Sequence, residues 1–152
     1  GIINAIISNP KSTDKSLFYL RNLISNLSSF SSKKIGKNFI TNYKRIFNIL
    51  KNVNFNTLPK TVDESIFENN DEERLNRNLQ KLKVLKIENN EDNHFDKKIF
   101  SSFVLSTNLI ENFFNNTLVN VENEKIRFNR LKLLYDLKTV FSKFANFEKI
   151  ED

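Results

Sequence analysis

The sequence predicts an all-α fold, an antiparallel bundle of four to five helices with a central apolar helix, and three observations predict it. Apolar residues recur three and four positions apart through most of the chain, without the alternation that marks strands. Only two glycines and two prolines occur in 152 residues, too few to turn an all-β or α/β chain. Finally, the twenty positions from Ile99 to Leu118 carry a single charge, Glu111. On a helical wheel Ile99, Phe103, Ile110, Phe113 and Phe114 share one side, Phe100, Val104 and Leu118 widen it, and Leu105 and Leu109 lie outside it. A helix apolar on more than one side is ordinarily surrounded by others.

In chain order, Ile2 to Ile7 reads as a short helical turn or the stub of a longer segment, closed by Asn9 and Pro10. Ser12, Thr13 and Asp14 offer N-caps for a helix over 13–30, whose apolar line is Leu17, Leu20, Ile24 and Leu27. The run Ser28 to Lys34 predicts a loop, because serine competes with the helical backbone for hydrogen bonds. Ile35, Phe39, Tyr43, Ile46, Phe47 and Leu50 form one face of a second helix, broken before Pro59. A third helix has two candidate starts. Thr61 and Glu64 have capping-box spacing. Asp71, Glu72 and Glu73 suit an N-terminus after Asn70. Its buried line is Leu75, Leu79, Leu82 and Leu85. Glu88 to His94 predicts a loop, the fourth helix runs over 95–118, and a softer break at 120–123 precedes a fifth. That last helix carries Leu133, Leu137, Val140, Phe144 and Phe147 on one stripe; without the break, the last two would form one bent rod.

A chain of 152 residues reads as a single domain, residues 1–152, able to bury roughly 68 to 70% of its unfolded surface. The absence of cysteine excludes disulfides, thiolate nucleophiles and cysteine-based metal sites. The formal charge of +6 and pI near 9.5 point toward anionic partners. Abundant lysine and asparagine beside two alanines match A/T-rich codons, however, so the charge weighs little. Residue 1 is glycine, which fits a leader already removed. Ser101, Ser102, Ser106, Thr107, Asn108, Glu111 and Asn112 make 99–118 a poor membrane span.

Candidate sites are few. His94, the sole histidine, lies near Glu88, Glu91, Asp92 and Asp96, but no turn glycine completes a calcium loop, and the stretch reads as a solvated linker with no metal. No serine–histidine–carboxylate arrangement or phosphate-cradling glycine loop is evident, so neither a catalytic residue nor a cofactor is expected. Lys37, Lys44 and Lys51 stand two helical turns apart, joined by Lys33, Lys34 and Arg45, as a candidate contact for anionic lipid or nucleic-acid phosphate; the preferred reading is a solvated face. Phe39, Tyr43 and Phe47 read as core, not as stacking aromatics. Ser102, Ser106, Asn108 and Asn112 form a candidate polar core in the fourth helix, either hydrogen-bonded across the bundle or part of a switch that lets the helix leave it.

The asparagine and lysine loading, the lack of cysteine and the stretch IFSSFVLSTNLIENFF resemble the malaria-parasite family of the sporozoite protein essential for cell traversal. The resemblance implies a secreted, non-enzymatic helical bundle stored in micronemes, acting in passage through host cells by a membrane-associated conformational change, with host membrane or a protein as partner. A basic nucleic-acid-binding domain and a surface protein-interaction bundle are the alternatives, nucleic acid ranking low.

Overall fold

The computed structural model describes residues 1–9, 17–85 and 94–150. Among them lie six α-helices and no strand: α1 (Ile2–Ile7), α2 (Leu17–Ser32), α3 (Lys34–Leu50), α4 (Asn70–Val84), α5 (His94–Asn116) and α6 (Glu124–Phe141). Short 3-10 turns cover Phe55–Thr57, Glu64–Ile66 and Phe147–Lys149. The all-helical bundle class is therefore the fold. Helix α5 packs against α2, α3 and α4, and α3 shares the centre by touching α2, α5, α6 and the last turn.

The α5 stripe is laid out as its periodicity dictates. Ile99, Phe103, Ile110, Phe113 and Phe114 are buried and Leu105, outside the arc, faces solvent, but Leu118, expected to widen the buried side, is exposed because the helix ends at Asn116. Phe103 is the hub of an aromatic core, with ring centroids 4.8 Å from Phe39, 5.2 Å from Phe141, 5.3 Å from Phe144, 5.6 Å from Phe30 and 5.8 Å from Phe147. Four helices and the C-terminal turn thus contribute to one cluster of tilted and edge-on rings, geometries worth about 0.5–1.5 kcal/mol per pair beyond area burial.

Three boundaries differ from the sequence expectation; one is the end of α6, which stops at Phe141, so that Phe144 and Phe147 are buried from the segment beyond it and not from a helical stripe. The serine-rich run does not open a loop; α2 continues to Ser32 and only Lys33 separates it from α3. The serines are accommodated because Ser31 Oγ donates to the Ser28 carbonyl (3.0 Å) and Ser32 Oγ to that of Ser29 (2.9 Å), inside the helix rather than against it. Helix α4 starts once, at Asn70, where the Asn69 side chain accepts from the amides of Asp71 and Glu72. Upstream, Asp63 rather than Thr61 caps a 3-10 turn, accepting from the Ser65 amide and hydroxyl. Those bonds hold the Asp63 carboxyl below its ordinary pKa. The α5–α6 junction is a true break: Asn123 caps α6 by accepting from the Ile126 amide. The expected loop over 88–93 and the expected start at 13–16 lie outside the described residues.

The tight α2–α3 corner depends on Gly36. A Cβ there would lie 1.9 Å from the Phe30 carbonyl oxygen and 2.8 Å from the Ser31 Cα, both backbone and unable to swing away. Gly36→Ala is accordingly expected to cost about 1–3 kcal/mol, the range for overpacking. Urea denaturation checks this, and an unchanged midpoint would show that the corner has slack.

Helix α1 is tied to the C-terminal segment. The Asn146 amide donates to the Ala5 carbonyl (2.9 Å) and the Asn9 side chain donates to the Ser142 carbonyl (2.9 Å).

Candidate nucleic-acid interface

Helix α3 divides its residues by period. Phe39, Tyr43, Ile46 and Leu50 go inward, while Lys33, Lys37 and Lys51 stand exposed on the outer side with Lys44 partly exposed between them. At 1.5 Å per residue, Lys37 and Lys51 are about 20 Å apart along the axis. The flanking cations are partly committed to neighbours: Lys33 Nζ lies 5.0 Å from the Phe100 ring centroid and the Arg45 guanidinium 4.1 Å from that of Phe114. Lys37 and Lys51 are the ridge's outward charges.

The structure adds to this ridge what no single helix shows. Helix α6 runs beside α3, and aromatic and basic side chains alternate along the seam. Phe47 is half-buried rather than core, with Lys138 Nζ 4.8 Å from its centroid. Beyond the end of α3, Phe55 lies 4.7 Å from Tyr135, their rings tilted by 36°, and Lys132 Nζ sits 5.3 Å from the Tyr135 centroid. Phe47, Tyr135 and Phe55 come from three separate segments, which is why the sequence shows no interleaving of aromatics with lysines.

A second polar centre, absent from the sequence expectations, supports the fold. Arg130 on α6, with 3% of its side chain exposed, donates from Nε to Glu72 (2.8 Å) and from Nη2 to Glu68 (2.6 Å). Its Nη1 donates to the Leu118 carbonyl (2.9 Å). Glu72, 1% exposed, also accepts from the Glu68 amide (2.8 Å). Burial alone would lower the pKa of the guanidinium; its hydrogen bonds to Glu72 and Glu68 outweigh that and hold it above the ordinary value. Beside it, Asn129 donates to the Asp63 carbonyl (2.9 Å) and accepts from the Asp63 amide (2.8 Å). These groups pin the 61–69 connection onto α6. A signal for them exists in the sequence, because Arg130 and Glu72 both fall at positions that continue the apolar stripes of their helices.

The remaining sequence candidates do not converge. Ser106 is fully buried, accepts from the Asn78 side chain (2.8 Å) and donates to the Ser102 carbonyl (2.6 Å); Ser102 donates to that of Lys98 (2.7 Å). Asn108 and Asn112, in contrast, face solvent, because they fall on the outer side of α5 with Leu105. The four therefore do not make one buried polar core. His94 begins α5, while Glu88, Glu91 and Asp92 lie outside the described residues, among which no group of three potential metal ligands is found. Glu64 accepts from Asn76 (2.7 Å) and Glu68 from Arg130, so both belong to the scaffold. Among the described residues no helix is long and apolar enough to cross a membrane.

A helical bundle that offers a lysine ridge edged by aromatic rings has the build of a module that binds an anionic partner. The chain belongs to the DALR anticodon binding domain family, whose profile matches residues 39–150, from within α3 to the last turn. It is similar to the glycine–tRNA ligase beta subunits of Rickettsia bellii strain OSU 85-389 (32% identical over 150 residues, 99% of this chain) and Rickettsia prowazekii strain Madrid E (32% over 148 residues, 96%). It is also similar to that of Rickettsia felis, at 33% over 125 residues and 82% of this chain. The chain spans about a fifth of the length of these relatives, 21%, 20% and 18% respectively.

This membership overturns the resemblance to the sporozoite protein essential for cell traversal, and with it the host-cell traversal function, the micronemal or secreted placement and the host-membrane partner. The low rank given to nucleic acid falls with it, because the matching family is described as an anticodon binding domain. The physical reason is that lysine and asparagine loading reports codon usage, and amphipathic periodicity is common to all helical bundles, so neither traces ancestry. The expectation of a non-enzyme stands only in part: the matching family is a binding domain, while the relatives are subunits of a ligase.

Proposed function

We propose that this chain is the anticodon-binding part of a glycine–tRNA ligase beta subunit, and that it holds the anticodon arm of a tRNA while chemistry takes place elsewhere in the enzyme. The observation that carries this reading is the family match over 39–150, which contains Lys44, Arg45 and Lys51 of the α3 ridge, though not Lys33 or Lys37, and the seam residues Phe47, Phe55 and Tyr135. Lys37 and Lys51 serve as phosphate contacts, with Lys44 between them and Lys33 one turn before Lys37. That residues 1–152 act as one domain is part of the proposal, supported by the hydrogen bonds joining α1 to the segment around Asn146.

Phosphate contacts release counterions, so affinity for an RNA hairpin carrying a glycine anticodon should fall steeply with salt. The double variant Lys37→Glu/Lys51→Glu is expected to weaken binding about tenfold or more and to reduce the log–log salt slope by about 1 for each phosphate no longer neutralised. Fluorescence anisotropy across a salt series measures both. A hairpin that does not bind, or binds with no salt dependence, removes the anticodon reading; a normal slope in the double variant moves the phosphate-binding surface to another face.

A further inference from the structure

Phosphate contacts hold an RNA without reading it, so a loop-binding surface also needs a place for an unpaired base. Phe55 has the properties of such a place. It is 44% exposed, on a 3-10 turn fixed from within by the Asn54 side chain accepting from the Asn56 amide (3.1 Å) and by Thr57 Oγ1 donating to the Asn54 carbonyl (2.6 Å). Val53 and Leu58 anchor the turn to the core on either side. Behind the ring lies Tyr135 at 4.7 Å, so Phe55 is held in orientation while nearly half its surface remains open.

The charges around it favour a polyanion. Lys51 caps the helix that leads into this turn and is exposed. On the other side Lys83 and Lys132 both pair with Asp136 at 2.8 Å, two ammonium groups on one carboxylate, which leaves a net charge of +1 at the foot of Tyr135. An aromatic face between cationic groups is the arrangement that stacks successive bases sequence-tolerantly in single-strand binders.

We infer that Phe55, backed by Tyr135, is a stacking platform for an unpaired nucleobase of the RNA loop, with Lys51 and the more exposed Lys83 flanking the adjoining phosphates. This rests on the anticodon reading above and adds to it the position at which a base is gripped. The ring would cover one face of the base, while the exposed Asn56 stands beside it for edge contacts.

The test compares wild type, Phe55→Ala, Phe55→Leu and Phe55→Trp on two RNAs, the anticodon hairpin and a blunt duplex of its stem. Loss of one stacked base corresponds to roughly a 5- to 150-fold weaker Kd. Phe55→Ala and Phe55→Leu are expected to lose that factor on the hairpin and to bind the duplex as wild type does, while Phe55→Trp retains hairpin affinity. The chain contains no tryptophan, so the introduced indole is a unique probe, and its fluorescence is expected to be quenched by the hairpin. Thermal unfolding of the Ala variant separates lost stacking from lost fold. Hairpin affinity unchanged in Phe55→Ala overturns the platform, and if Lys37→Glu/Lys51→Glu weakens binding in the same assay the anticodon reading survives it. A wild-type chain that binds neither RNA overturns both.

Discussion

Arg130→Met is expected to lower the free energy of unfolding by about 3–5 kcal/mol, the usual loss when one member of a buried ion pair is removed. The variant strands Glu72, which is 1% exposed, and it also releases the Leu118 carbonyl from its donor. Glu68 is affected less, since 54% of its side chain is exposed and water can replace the guanidinium. For a chain of this size the loss corresponds to a fall in Tm of roughly 6–20 °C. The companion variant Arg130→Met/Glu72→Leu removes both charges and should be more stable than Arg130→Met, because replacing a buried pair by apolar groups of similar volume is often neutral. Denaturant titration of the two variants decides the matter. A change within about 0.5 kcal/mol for Arg130→Met, the range of ordinary surface positions, would mean that Glu72 finds water or a proton and that the network is not what pins the 61–69 connection.

Phe103→Ala is expected to cost about 3–5 kcal/mol, at the high end for core truncations. The ring is 1% exposed and touches five others contributed by α2, α3, α6 and the C-terminal segment, so no single neighbour can relax into the space. Phe103→Leu, which keeps most of the volume, should lose less than half as much. Phe39 touches Phe103 itself and three of its partners, Phe30, Phe141 and Phe147. Phe39→Ala combined with Phe103→Ala should therefore be less damaging than the two losses added together. Equilibrium unfolding of these variants provides the comparison, and strict additivity would show that the rings pack as independent pairs.

These two sites also mark how far the residues can be read without coordinates. The Phe103 result follows from periodicity: spacing assigns Ile99, Phe103, Ile110, Phe113 and Phe114 to one face, and that face is buried. Seven-residue spacing likewise sets Lys37, Lys44 and Lys51 along one side of α3. Helical geometry alone dictates both patterns, because side chains three, four and seven positions apart must share a face.

Arg130 and Glu72 belong to the other kind. Each falls on an apolar stripe, a mark of a buried charge, yet nothing local says that the two meet across 58 positions. The same holds for the seam where Phe47, Phe55 and Tyr135 alternate with Lys51, Lys132 and Lys138. Its members lie on α3, on α6 and on the segment between α3 and α4, and only the packing of α6 beside α3 brings them together.

Local spacing therefore specified the helices, the inner face of α5 and the line of lysines, but not the inner face of α2, where Leu23, Leu27 and Phe30 are buried and Leu17 is exposed. Which helices are neighbours, which buried charges find each other and where an open aromatic ring stands among cations depend on contacts distant along the chain, whose free energies no window of sequence contains.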